Sequence, residues 1–253
     1  MAADNREAEM NRFFVEKSEI AGASAAITGE DLRHMATVLR LSIGDEVALC
    51  DGEGTDYLAR IEGISKSEAR LSILSSAPSG TEPGARVTLF QGLPKAGKLE
   101  TIIQKCVELG VYEIAPYLAK RSVVRPEKAE FEKRRGRYQK IAEEAAKQSR
   151  RGRIPEVLRL STLDETDWGA FDAVIVPYED ERTCSLRAAI ADIQKNARIA
   201  LVIGPEGGFD AGEIAKLQGA GAKCVSLGKR ILRTETAGMA ALAMIMFGLE
   251  QME

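Results

Sequence analysis

"ALVIGPEGGFDAGEIAKL" (residues 200–217) runs from an apolar segment through three glycines, a proline and a carboxylate into a helical pattern. Ile199–Ile203 is a short unbroken apolar run, the composition of a strand buried on both faces of a parallel sheet. Asp210 and Glu213 have capping-box spacing, which predicts a helix beginning near Ala211. Between them Gly204, Gly207 and Gly208 permit positive φ and leave bare backbone for a ligand to approach. The loop therefore falls at the carboxyl end of a strand, where open α/β sheets bind their ligands. A tight turn with no ligand is the alternative.

Common glycine-loop explanations do not apply. The stretch is not G-x-G-x-x-G, and it lacks the Gly-Lys-Ser/Thr ending of a P-loop. A dinucleotide-binding fold places its glycine loop after the first strand. Here only 45 of 253 residues follow Gly208, so this is not an ordinary Rossmann unit.

From residue 86 to the end, strands alternate with helices, which predicts an α/β domain with a mainly parallel sheet. "RVTLFQ", "VYEIAPYL", "FDAVIVPY", "RIALVIG" and "KCVSLG" read as strands. "KLETIIQKCVEL" carries apolar residues at 99, 102, 103, 106 and 107 and stops at Gly110, a helical stripe with its C-cap. Further helices are predicted over 127–148, 184–195 and 211–219. Residues 1–75 differ in rhythm: "RFFVE", "EVALC", "YLARIEGI" and "ARLSIL" are strand-like, with a hairpin turn at Asp51-Gly52-Glu53-Gly54. One short helix, "EDLRHMATVLR", interrupts them, and a small β-barrel is expected. The Ser/Pro/Gly-rich residues 76–85 read as a linker to the domain at 86–253.

Composition narrows the chemistry. Apolar content of 45% and charged content of 29% describe a globular protein. Met1–Met10 is polar, so no secretory signal is expected, and Ala237–Leu249 is too short to span a bilayer. Cys50, Cys106, Cys184 and Cys224 form no C-x-x-C pair and His34 is the only histidine. No metal site is expected, and a reducing cytoplasmic location is. The net charge is −3, yet residues 120–153 hold thirteen Lys or Arg against five Glu. That local excess suggests a surface facing a polyanion, a solvated helix face being the plainer reading.

A second late loop follows "KCVSLG" (223–228) and runs into "KRILRTETAGMAALAMI". A helix is predicted from Thr234 or Glu235, capped by Thr234 or Thr236. If the two late loops are neighbours, their backbone groups form one pocket suited to an adenine ring.

"IGPEGGF" with "SLGKRILRTETA" resembles the SPOUT methyltransferases, specifically those acting on N3 of a uridine in small-subunit ribosomal RNA. The resemblance extends to "RFFV" and "HMATVLRLSIGDEVALCDGEG" of that family's PUA-like domain, and to "LPKAGKLETIIQKCVELGV" and "AAKQSRRGRIP". It implies a trefoil knot in the C-terminal domain (an exception among folds), a homodimer, and S-adenosylmethionine held by three loops. The implied donor pocket comprises Ile203, Gly204, Pro205, Glu206, Gly207 and Gly208, then Leu227, Gly228, Arg230, Ile231, Leu232 and Thr236. The implied partner is 16S ribosomal RNA in the small subunit, with no membrane role. Candidate RNA contacts are Arg12, His34, Arg40, Lys95, Lys98 (where an arginine is common), Arg121, Arg134, Arg135 and Arg151. For catalysis the candidates are Arg233, as a cation beside the uracil anion, and Glu235, as a base, with Glu206 also available. Each has a structural alternative: Arg233 as a helix-entry ion pair with Glu235, and the glutamates as turn or cap carboxylates. Other members of the superfamily, acting on ribose 2′-O or guanine N1, and a non-catalytic RNA-binding factor remain the alternatives.

Overall fold

The computed structural model describes residues 10–95 and 97–252. They form two compact units, one reaching to Glu82 and including Ala146–Ile154, the other comprising Pro83–Ala145 and the chain from Pro155.

In the first unit, β1 (Arg12–Phe14), β2 (Ile20–Ala21), β3 (Ser24–Thr28), β4 (Glu46–Cys50), β5 (Thr55–Ile64) and β6 (Glu68–Pro78) form one sheet. Its order is β1-β4-β5-β6-β3-β2, antiparallel except where β1 lies parallel to β4. Inward residues from these strands, among them Phe13, Ile27, Val47, Leu49, Ile61 and Leu71, share one core with Leu32 and Met35. Pairing ends at β1 and β2, so the expected barrel is half-closed. Edge strands of three and two residues offer too few backbone groups to complete it. The β4–β5 turn forms as expected, with Gly52 and Gly54 at φ 70° and 109° and Asp51 Oδ1 accepting from the Glu53 and Thr55 N–H groups. The interrupting helix is α1 (Gly29–Arg33), continued by a π turn over His34–Val38.

Two features of this unit differ from the sequence reading. The supposed linker begins as strand, since Ser75–Pro78 pairs with Thr55–Leu58; its small polar side chains conceal a backbone paired along one edge. The segment "RRGR" (150–153) also folds here as a clasp. Arg151 is buried and its Nε and Nη2 reach Glu82 at 3.2 and 2.6 Å, while Glu82 Oε1 also accepts from the Gly152 and Arg153 N–H groups. Arg151 is thus a structural cation and not a surface contact. Arg12 is similarly committed, to Asp56 at 2.5 Å and the Arg150 carbonyl at 3.0 Å. Because Glu82 is only partly buried and keeps the Gly152 and Arg153 N–H donors when the guanidinium is lost, Arg151→Met should cost about 1–3 kcal/mol of unfolding free energy. Urea denaturation showing a loss within about 0.5 kcal/mol would contradict this.

The second unit is a parallel six-stranded sheet of β7 (Arg86–Gly92), β8 (Glu113–Tyr117), β9 (Glu156–Val157), β10 (Ala173–Pro177), β11 (Arg198–Ile203) and β12 (Lys223–Val225). Its order is β12-β10-β11-β7-β8-β9. The helices are α2 (Lys98–Glu108), α3 (Lys128–Gln148), α4 (Leu186–Ile190), α5 (Ala211–Gly219) and α6 (Thr234–Gly248). Helix α6 packs on α2, α4, β7 and β11. The opposite face of the sheet, with Phe90, Tyr117, Val176 and Val202, packs against Ile214 and Leu217 of α5. Both faces are covered, which is why β11 is an unbroken apolar run. Trp168 lies partly buried at the edge of this core, 5.0 Å from the Phe90 ring. Helix α4 is shorter than the predicted 184–195 and starts from a Ser185 cap that accepts from Ala188 N.

Candidate active site

Three parallel strands, β10, β11 and β12, end at one cavity of about 470 Å³, within the size range of small-molecule sites. The β11 loop is fixed from several directions. Tyr117 Oη donates to the Ile203 carbonyl at 3.1 Å, and Gly208 N donates to the Pro205 carbonyl at 2.9 Å. Gly208 takes φ 67°, where a Cβ would lie 2.5 Å from a Glu179 oxygen, so only glycine fits. Both bonds of the Asp210/Glu213 capping box form. The other Glu213 oxygen accepts from Lys120 N at 2.8 Å, and Lys120 Nζ pairs with Asp210 at 2.8 Å. That ammonium, with the Gly212 N–H, holds the Asp210 carboxyl below its ordinary range.

Helix α6 starts at Thr234 as predicted, but Thr234 is not its side-chain cap. Its buried hydroxyl donates to the Gly204 carbonyl at 2.6 Å and accepts from Gln91 Nε2 at 2.8 Å. It therefore pins the β11 loop to the helix start and to β7. Thr234→Val should remove the partner of the partly buried Gly204 carbonyl and one of the two bonds of Gln91 Nε2, which keeps the Gly92 carbonyl, costing about 1–2 kcal/mol in denaturant unfolding. An unchanged midpoint would show that the pin is dispensable.

The β12 loop contrasts with this rigidity. Ser226 Oγ accepts from Gly228 N at 3.2 Å, yet Leu227, Lys229, Arg230 and Ile231 make no backbone hydrogen bond among the described residues. Lys229, Arg230 and Ile231 are exposed, so these N–H and C=O groups face solvent and are open to a ligand. This is the wall expected for an adenine ring, so the residues fit S-adenosylmethionine.

Of the expected donor residues, Ile203, Gly204, Pro205, Glu206, Gly208, Leu227, Gly228, Arg230, Ile231 and Leu232 line the cavity. Gly207 and Thr236 do not. Gly207 faces Arg121, whose carbonyl oxygen would lie 2.7 Å from a Cβ there. Arg233 lines the cavity, is exposed and makes no ion pair among the described residues. The helix-entry pair with Glu235 does not form. Glu235 instead lies 3.2 Å from Lys98 Nζ, outside the lining. Lys98 Nζ also reaches Glu206 at 3.1 Å, and Glu206 accepts from Lys95 N at 3.1 Å. Burial works to raise the Glu206 pKa, but the Lys95 N–H and the Lys98 ammonium outweigh it and hold the carboxyl below its ordinary value. Both glutamates raise the Lys98 pKa, Glu206 the more. Lys98 is therefore engaged with carboxylates.

Sequence reasoning missed the third wall, Pro177, Tyr178, Glu179 and Arg182 beyond β10. "FDAVIVPY" read as a strand, but no local signal places β10 beside β11. It also missed Phe209, Ser226, Lys229 and Ala237. The other expected RNA contacts lie apart from the cavity lining. His34 is exposed, edge-on to the Phe13 ring at 6.5 Å, and Arg40 is exposed with φ 55°. Arg121 is exposed, its Nη1 3.5 Å from the Gly207 carbonyl. On α3, Arg134 pairs with Glu130 at 2.6 Å and Arg135 with Glu132 at 2.8 Å, surface pairs that contribute little. The described residues contain no group of His, Cys, Asp and Glu able to hold a metal, and none of their helices is long and apolar enough to cross a membrane.

Comparison with known proteins gives a consistent picture. Residues 81–246 match the RNA methyltransferase domain family, and 27–74 match the RNA methyltransferase PUA domain. The chain is 34% identical over 250 residues to ribosomal RNA small subunit methyltransferase E of Bacillus subtilis, covering 95% of this chain and 98% of that protein. Among solved structures, the Neisseria gonorrhoeae ribosomal RNA small subunit methyltransferase E bound to S-adenosyl methionine aligns with a TM-score of 0.78 and 32% identity, covering 94% of this chain and 98% of that one. A putative methyltransferase from Legionella pneumophila, in complex with the same cofactor, aligns at 0.76 and 27% identity, covering 94% and 98%.

Proposed function

This chain belongs to the ribosomal RNA small subunit methyltransferase E family, and we propose that it transfers a methyl group from S-adenosylmethionine to N3 of a uridine in 16S ribosomal RNA. The observation that carries this reading is the cavity at three strand ends, with unpartnered backbone on one wall and the unpaired Arg233 on its rim. The bound donor supplies an electrophilic methyl on a positively charged sulfur. Uracil N3 carries a proton and is a weak nucleophile, so the protein must favour its loss. Arg233 stabilises the developing uracil anion and lowers the N3 pKa. Glu235, ion-paired with Lys98 and outside the lining, is poorly placed as a base.

The knotted topology implied by the resemblance is part of this reading. A homodimer is too. Helix α6 leaves Met244 40% and Phe247 68% exposed, and Ile231 on the pocket rim is 88% exposed, an apolar set suited to a second copy. For the RNA, Lys133, Arg134 and Lys140 on the exposed face of α3 replace Arg151 as the cations to test. Neutralising these three should lower the log–log salt slope of RNA binding by about two to three units, roughly one per phosphate contact. An unchanged slope would make that face a solvated one. The decisive test is mass-spectrometric nucleoside mapping of small-subunit rRNA with and without the gene. Loss of one 3-methyluridine supports the proposal, and loss of a different modification, or of none, refutes it.

A further inference from the structure

We propose that Lys98 is a positioning residue whose ammonium locks the β11 loop to the first turn of α6 through Glu206 and Glu235, and so holds the donor pocket in its binding shape. The inference rests on the donor reading above for its consequence, but on geometry alone for the lock itself. Lys98 opens α2, which follows the loop after β7. Its Nζ stands 3.1 Å from Glu206 Oε1 and 3.2 Å from Glu235 Oε2, and the three side chains are only 31%, 21% and 19% exposed. One cation therefore joins three segments that are distant in the chain.

The buried Glu235 Oε2 has no hydrogen-bond partner in directional terms, so Lys98 neutralises it by charge alone. Removing the ammonium would leave two half-buried carboxylates facing each other across one site, a repulsion that pushes the loop and the helix start apart. The other charged groups around this cluster are Glu179, Arg182, Lys229, Arg230 and Arg233, which line the same cavity. Glu100 in the first turn of α2 is occupied by Arg137 at 3.6 Å. None of these is within ion-pair distance of Glu206 or Glu235 among the described residues, so Lys98 has no substitute.

The test uses the full-length protein with 13C-labelled glutamate. In the donor-free state, Glu206 should titrate below the ordinary carboxyl range in the wild type and higher by about half a pH unit or more in Lys98→Met. Lys98→Arg should restore the low value. An unchanged Glu206 titration in Lys98→Met, or no restoration by arginine, overturns the proposal. If Lys98→Met does not fold, Glu235→Gln decides. It removes a competing negative charge and frees Lys98 for Glu206, so Glu206 must titrate lower still, and no change overturns the lock. With donor, Lys98→Met should weaken S-adenosylmethionine binding by about tenfold or more while kcat at saturating donor stays within about threefold. A fall in kcat at unchanged donor affinity would place Lys98 in the chemical step and refute the positioning role. A wild-type protein that binds no S-adenosylmethionine would refute the donor reading, and the titration would still judge the lock.

Discussion

Replacing Arg233 with alanine is expected to lower kcat by about a hundredfold or more while donor affinity changes by less than about threefold. The placement of the guanidinium sets the size of this effect. It lines the cavity yet pairs with no carboxylate among the described residues, so its charge is available to a substrate. A cation beside a uracil ring stabilises the N3 anion more than the neutral base, and the stabilisation is felt mainly in the transition state. Without it the N3 pKa rises, and less of the reactive anion is present at neutral pH. Raising the pH supplies the anion by mass action, so the variant should recover part of its rate in alkali while the wild type gains less. Glu235→Gln should cost less, because that carboxylate is paired with Lys98 at 3.2 Å and lies outside the lining. The pair of pH–rate profiles decides the matter. If Arg233→Ala turns over normally while Glu235→Gln is inactive with donor still bound, the proton acceptor is the carboxylate.

Gly92→Val should weaken donor binding by about a hundredfold (about 2.7 kcal/mol), since the loop that forms one wall of the pocket must shift to admit the side chain. Gly92 ends β7, and a Cβ there would lie 2.6 Å from Pro205 N and 2.9 Å from the Gly204 carbonyl carbon. Both neighbours are backbone of the β11 loop and cannot rotate away, so the loop itself must move. The strain should cost about 1–3 kcal/mol, less than the usual margin of folding stability, and the sheet should persist. Calorimetry beside a denaturation curve separates the two effects; a folded variant that binds S-adenosylmethionine normally would show that the loop tolerates displacement. Gly207→Val, attractive from sequence because its glycine belongs to the same loop, is a less direct probe. Its new side chain would strike the Arg121 carbonyl and not enter the cavity.

The parallel sheet, the helix start at Ala211 and the glycine turn after β11 were legible in residues 199–213 alone. Each depends on interactions within about a dozen residues: an apolar run, a capping box, and glycines that alone accept the required φ. The order of the two C-terminal motifs identified the family for the same reason, since a loop that binds a ligand through its backbone constrains a contiguous string of residues. What the local string could not carry was partnership between segments far apart in the chain. Arg151 sits in a basic run and read as a surface cation, but its meaning depends on Glu82, 69 residues away. Thr234 read as a cap, and its hydroxyl instead serves Gly204 and Gln91. Lys98 read as an RNA contact and is held by two carboxylates, one from the β11 loop and one from the first turn of α6. A charge or a hydroxyl takes its role from whatever lies within about 3 Å. That neighbour is chosen by the packing of the sheet and helices, which only the tertiary structure decides.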